Sequence, residues 1–221
     1  MESIDIFGDG VYNFCVAKQI YFSEEENVKR LLITGFEPFG GENINPSWEV
    51  LKLLPDSING YEITKLRIPV VFGDAAMCVI RAASELGADA VLCIGQAGGR
   101  AAITPELVAI NLRHASIPDN SGAKPHDERI IECGDAAFFS TLPVRKMADA
   151  INRQGIASQV SYSAGAYVCN DVLYNLLAHF RGTKTRVGFI HVPYCAEQNK
   201  ESCMDIDSIA QGLTVAIENM D

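Results

Sequence analysis

Cys169 stands at the end of the segment SAGAYVCN, ahead of the run DVLYNLLAHF, where Leu173, Leu176, Leu177 and Phe180 recur at helical spacing. The cysteine is therefore expected at or near a helix N-terminus. Unpaired backbone N–H groups there favour negative charge, so the thiol is expected to ionise more easily. A thiolate is a nucleophile; a thiol mostly is not. A second segment, VGFIHVPY, puts His191 at the end of an apolar, strand-like run. A nucleophile and a base, each at an element end, point to a cysteine hydrolase. Glu106, in ITPELVAIN, opens a strand of otherwise apolar residues. It reads either as a solvated strand-edge carboxylate or as the group that orients His191 and stabilises its imidazolium form.

Other residues of these types have plainer readings. Most cysteines in a reducing compartment are small buried hydrophobes. Cys78 and Cys93 lie in apolar runs and are assigned to the core, while Cys15, Cys133, Cys195 and Cys203 have no evident partner. His114, His126 and His179 are read as structural. No CxxC pair or HxxxH spacing supports a zinc site, so neither a metal nor a cofactor is expected.

The elements that must carry these groups alternate along the chain. LLIT at Leu31–Thr34 reads as a buried strand entering the loop GFEPFGGENINPS. Asn45-Pro46-Ser47 opens a helix through Leu51 and Leu54. Strand, helix and strand are expected at Glu62–Ile68, Asp74–Leu86 (closed by Gly87) and Ala90–Ile94. Glu106–Leu112 alternates, with Val108, Ile110 and Leu112 on one side, and residues 113–135 carry the turn chemistry of an ordered loop. A helix beginning at Pro143, capped by Thr141, precedes a strand at Val160–Tyr162. The Cys169 helix, the strand Val187–Val192 and a helix over about Met204–Glu218 complete the pattern. This predicts a single α/β domain over residues 30–221, with a twisted, mostly parallel central sheet and helices on both faces. Sites in such sheets gather at the carboxyl ends of the strands. Residues 1–29 form a distinct opening, rich in aromatics, that reads as short strands around Gly8–Gly10 or as a mobile arm.

Composition narrows the partners. The 221 residues include 18 Lys and Arg against 28 Asp and Glu, a net charge of −10 that argues against nucleic-acid binding. No apolar run approaches the ~20 residues of a membrane helix, and the N-terminus lacks signal-peptide character. Seven cysteines without a close-set framework fit a reducing cytoplasm.

Five segments, TGFEPFGGENINPSW, GQAGGRAAITPELVAIN, SIPDNSGAKPHD, SAGAYVCN and GFIHVPY, stand in an order that resembles the pyroglutamyl peptidase I, or pyrrolidone-carboxylate peptidase, family of cysteine peptidases. The resemblance runs from about Leu31 to the C-terminus. It implies release of an N-terminal pyroglutamyl (5-oxoprolyl) residue from peptides through a thioester, without a cofactor, by a compact α/β protein assembled as a homotetramer. By motif position it makes Cys169 the nucleophile, His191 the general acid and base, and Glu106 the orienting carboxylate. Phe36 and Phe39 would line the ring slot, Asn45 and Gln96 would read the ring's polar groups, and Val71, Ile117 and Tyr167 would complete the pocket. Two positions depart from the family pattern: Leu107 follows Glu106 where arginine is usual, and Ser116 replaces the arginine before IPDN. Arg113 is the candidate substitute for that lost charge. The competing expectations are a weakly active or inactive homologue that binds pyroglutamyl-like ligands, or a cysteine amidase for another small amide.

Overall fold

The computed structural model describes residues 28–221, so the opening segment up to residue 27, with its two readings, lies outside the described residues. Strand β1 (Lys29–Phe36) runs into the Gly/Pro-rich loop, and α1 (Pro46–Glu49) follows, capped by Asn45. A short 3₁₀ turn, Val50–Leu53, continues α1, so the helix expected through Leu54 tightens halfway. A brief β2 (Ser57–Ile58) pairs antiparallel with β3 (Tyr61–Ile68), a hairpin too short for the periodicity to reveal. Next come α2 (Asp74–Leu86), closed by left-handed Gly87, and β4 (Ala90–Gln96). The short strands β5 (Thr104–Pro105), β6 (Val108–Ile110) and β7 (Ala137–Phe139) precede α3 (Val144–Arg153) and α4 (Val168–His179). The chain continues through β8 (Arg186–Val192), β9 (Tyr194–Cys195), β10 (Cys203–Met204) and α5 (Ile206–Glu218).

The main sheet has the order β2-β3-β1-β4-β8-β5. Its four central strands are parallel, and β2 and β5 close the two edges antiparallel. Strand alternation sends successive side chains to opposite faces. Leu31, Ile33, Leu92, Ile94, Ile190 and Val192 thus meet α1, α3 and α5 in one core. Leu32, Val91, Cys93, Val187 and Phe189 meet α2 and α4 in the other. Because both faces are covered, β4 and β8 are apolar at nearly every position. The fold class and the layered arrangement agree with the expectation.

Four local expectations need correction. Glu106–Leu112 is not one strand: Glu106 sits between β5 and β6, and the buried residue of β6 is Ala109, not its neighbours Val108 and Ile110. Val160–Tyr162 forms no strand: it holds one isolated bridge, at Ser161, and a second lies just ahead of it at Ser158. Thr141 does not cap α3, because its hydroxyl exchanges hydrogen bonds with the backbone of Val187. The last helix starts at Ile206 rather than Met204, where the Asp205 carboxylate accepts from the Ser208 N–H as an N-cap.

Candidate active site

The loops at the carboxyl ends of β1, β4 and β8 and the start of α4 surround one cavity of about 430 Å³. Its walls include Phe36, Phe39, Asn45, Gln96, Arg100, Tyr167, Cys169 and His191. Strand alternation explains the histidine. Val187, Phe189 and His191 share a face of β8, and that face meets α4, where Cys169 stands in the first turn. Gly95 of β4 is the register partner of His191. A Cβ on Gly95 would lie 2.7 Å from the Phe189 ring and 3.0 Å from the Cys169 sulfur. The absent side chain at Gly95 is therefore the space in which the thiol rests beside His191.

Three consecutive residues fix the start of α4. Cys169 turns toward the cavity. Asn170, fully buried, accepts from the Ile110 N–H and donates to the carbonyls of Ile110 and Leu112 at 2.9–3.0 Å. Asp171, also fully buried, pairs with Arg113 Nε at 2.6 Å and accepts from the Gly73 N–H at 2.8 Å, just ahead of α2. Tyr167, at the N-cap, contributes no side-chain cap, so the first N–H groups of α4 remain available.

Glu106 is fully buried, which overturns its reading as a solvated edge carboxylate. Its Oε1 lies 2.7 Å from His191 Nδ1 and 2.7 Å from Arg100 Nη1. Burial by itself would raise its pKa; the hydrogen bond and charge of His191, with Ser161 and Arg100, outweigh that and hold it below the ordinary carboxylate value. An ionised carboxylate only accepts, so Nδ1 of His191 is the donor to it, and in the neutral ring Nε2 is left with a lone pair. Cys169 reverses the expectation of easy ionisation. Burial, reinforced by the negative charge of Glu106, pushes the thiol up to about 12, with Arg100 opposing. The helix start does not outweigh that loss of water.

The cavity has an aromatic wall. Phe39 and Tyr167 have centroids 6.2 Å apart, and Phe36 lies 6.3 Å from Phe189. Burial, then the charges of Asp119 and Cys169, push the Tyr167 phenol up to about 12, so it stays a donor and bonds the Pro118 carbonyl at 3.1 Å. Asn45 lines the cavity, but its amide is engaged: Oδ1 accepts from the N–H and hydroxyl of Ser47, and Nδ2 donates to the Glu37 carbonyl. In this arrangement it shapes the loop. That loop lies close on β1, since a Cβ at Gly35 would strike the backbone of Ser47 and Trp48. Val71 and Ile117 lie outside the lining. Val70, one residue earlier, occupies the wall instead, and Ile117 is 43% exposed with its Cδ1 near Gly40.

Two residues emerge that the sequence reading passed over. Arg100 closes GQAGGR, a segment read only for its glycines. It bonds Thr104 Oγ1 at 2.6 Å, Glu106 and the Ser163 carbonyl, and brings a positive charge to the cavity. Arg113 does not substitute for the charge missing at Ser116: it is committed to Asp171 and lies over the Phe72 ring. Gln198 is the second. Its Oε1 accepts from the Cys195 N–H at 3.2 Å, which obliges its Nε2 to donate to Gln96 Oε1 at 2.9 Å. That fixes the orientation of the Gln96 amide, whose Nε2 is then its donor end. No periodicity or motif singled out Gln198, because its role arises from a distant strand end.

Residues 29–221 match the model of the family described as pyroglutamyl peptidase. The chain is 45% identical over 194 residues to a pyrrolidone-carboxylate peptidase of Lactobacillus helveticus, spanning 86% of this chain and 97% of that one. It is 47% identical over 195 residues to pyrrolidone-carboxylate peptidase 1 of Streptococcus pneumoniae, spanning 86% and 91%. The structure is similar to that of pyroglutamyl peptidase I from Bacillus amyloliquefaciens, with a TM-score of 0.83 and 40% identity over 87% of this chain and 96% of that one. The chain therefore belongs to the pyroglutamyl peptidase family.

Proposed function

We propose that this protein is a cysteine exopeptidase that removes the N-terminal pyroglutamyl residue from peptides. The observation that carries this reading is a Cys169 thiol and a Glu106-bound His191 on the wall of a cavity that also holds aromatic rings and one amide of fixed polarity. Pyroglutamate has lost its basic amine by cyclisation, so charge cannot be its handle. The slot between Phe39 and Tyr167, with Phe36, takes the ring's apolar edges. Gln96 Nε2 donates to the ring carbonyl, and Asn45 holds the loop that carries Phe39. Val70 stands in the wall where Val71 was expected.

The reaction follows from the tautomer. His191 Nε2 takes the Cys169 proton as sulfur attacks the carbonyl carbon that links pyroglutamate to the next residue. The carbonyl's π electrons move to oxygen, and the N–H groups at the start of α4 receive that oxyanion. Glu106 stabilises the imidazolium, and Arg100 offsets the second negative charge that appears when the tetrahedral intermediate forms. The intermediate collapses as His191 gives its proton to the leaving amine, and the thioester remains. Water, deprotonated by Nε2, attacks the thioester; sulfur leaves and regains its proton, and free pyroglutamate departs.

The six described cysteines are free, which supports a cytoplasmic location. A homotetramer is proposed on the family resemblance. Among the described residues, no helix is long and apolar enough to cross a membrane. The test is release of a chromogenic amine from its pyroglutamyl amide, compared with the prolyl amide. Selective turnover of the first, abolished in Cys169→Ser, supports the proposal. Equal turnover of both, or retention of activity in Cys169→Ser, refutes it.

A further inference from the structure

We propose that His114, His126 and Asp127 form a binding site for a divalent transition-metal ion, on the strap of chain over residues 113–128. His114 Nδ1 lies 2.9 Å from Asp127 Oδ1, and His126 Nδ1 lies 3.3 Å from Asp127 Oδ2. One ligand atom from each of the three residues falls within 4.8 Å of the other two. Ligands at the ~2.0–2.2 Å bond lengths of a tetrahedral zinc site are separated by about 3.3–3.6 Å. The cluster is thus already near the size of a coordination sphere, with two imidazoles and one carboxylate. That donor set suits zinc, nickel, cobalt or copper rather than magnesium or calcium.

The backbone builds the site. Arg113 and Glu128 exchange two N–H to carbonyl bonds at 2.7 and 3.0 Å, and the Ala115 N–H donates to the Pro125 carbonyl at 2.9 Å. These bonds hold His114 opposite residues 126 and 127. In extended chain, neighbours 126 and 127 would point to opposite sides. Asp127 instead takes φ +55°, a left-handed conformation uncommon for a non-glycine residue, and both side chains converge on His114. The His114 and His126 rings are 4.7 Å apart between centroids. His126 and Asp127 are exposed, so an ion can reach them. The spacing escapes a search for HxxxH because the ligands meet across a chain pairing.

In the metal-bound form each neutral ring coordinates through Nδ1 and keeps its single proton on Nε2; a ring that starts with that proton on Nδ1 releases it to solvent and takes one up at Nε2, so the tautomer changes with no net proton loss. Open positions on the ion keep water. The strap is joined to the catalytic loop, since the His114 N–H donates to the Ala166 carbonyl at 2.9 Å, three residues ahead of Cys169. A metal clamp on the strap therefore steadies the approach to the nucleophile.

The experiment is a calorimetric titration of the tag-free protein with Ni²⁺, alongside His114→Ala, His126→Ala and iodoacetamide-treated wild type. One Ni²⁺ per chain is expected in the wild type and in the alkylated protein, weakened at least tenfold in either variant. At a Ni²⁺ concentration 100 times the wild-type Kd, melting temperature should rise by about 5–10 °C in the wild type and in the alkylated protein, and by about half as much or less in either variant. His126→Ala should keep its metal-free turnover, which verifies its fold. No saturable binding, binding unchanged in both variants, or binding lost on alkylation would each overturn the site.

Discussion

Replacing Gly95 by alanine tests the arrangement of the nucleophile with a single methyl group. The new Cβ would stand 2.7 and 2.8 Å from two atoms of the Phe189 ring and 3.0 Å from the Cys169 sulfur. Ordinary contact needs about 3.5–4.0 Å, so a displacement approaching 1 Å must be shared between ring and sulfur. Phe189 is only 1% exposed and its ring centroid lies 4.7 Å from that of His191, so the ring has little room to turn. Overpacking of this kind costs about 1–3 kcal/mol. For a chain of this size that lowers the melting temperature by roughly 2–12 °C. A 1 Å misplacement of a reacting atom costs about 10²-fold in rate. Steady-state hydrolysis of a pyroglutamyl amide should therefore show kcat reduced about 100-fold. In Gly95→Ala/Phe189→Leu the clash with the ring disappears and the clash with sulfur stays. Melting temperature should partly recover while kcat does not. Wild-type kcat and melting temperature in Gly95→Ala would mean that sulfur does not rest over this glycine.

Glu106→Gln leaves Arg100 without its carboxylate and allows His191 the wrong tautomer; kcat should fall by ~10³-fold or more, with the fold retained by circular dichroism. Because the Glu106 pKa is depressed in the folded protein, its stabilising contribution is complete above the ordinary carboxylate value of about 4.3 and is lost as pH falls through its own lower value. Melting temperature should accordingly fall less between pH 7 and pH 3 in Glu106→Gln than in the wild type. Gln198→Leu should raise KM by about 3- to 10-fold with a smaller change in kcat, and Gln198→Glu should lower kcat/KM further, since an acceptor facing Gln96 forces that amide to flip. Asn170→Ala leaves the half-buried Ile110 N–H and Leu112 carbonyl without their Asn170 partner, while the Ile110 carbonyl keeps the Leu112 N–H, and should cost about 2 kcal/mol, or roughly 4–8 °C in melting temperature.

Local signals carried most of the architecture. The bounds of α2 followed from its periodicity and from Gly87, and β4 and β8 from continuous apolar runs that only a doubly covered sheet produces. Cys169 and His191 were legible because each stands at an element end. Three features were not, and each depends on three-dimensional surroundings. Burial of Glu106 follows from its place between β5 and β6, whose residues are too few to show a pattern. The high pKa of Cys169 follows from the loss of water over Gly95, against which a helix-end argument had no measure. The polarity of Gln96 is set by the Cys195 N–H through Gln198, nearly half the chain away in sequence. Val70 stands in the wall in place of Val71 because the chain leaves β3 at Ile68 and no longer alternates as a strand.

The anchoring of α4 has a mechanical consequence. Successive residues of an α-helix are about 100° apart around its axis. Cys169, Asn170 and Asp171 therefore face three well-separated directions spread over about 200°, and two of those three bearings are bolted to different parts of the protein. β6 holds one through Asn170; Arg113 and the entry to α2 hold the other through Asp171. A helix gripped on two separate bearings has no free angle left about its own axis, so the Cys169 backbone cannot be turned or withdrawn without breaking buried bonds. The price of aim is transmission: a shift of β6, of Arg113 or of the loop before α2 arrives at the sulfur as a rotation. Substitutions in those supports, well outside the cavity, should alter the rate before they alter substrate affinity.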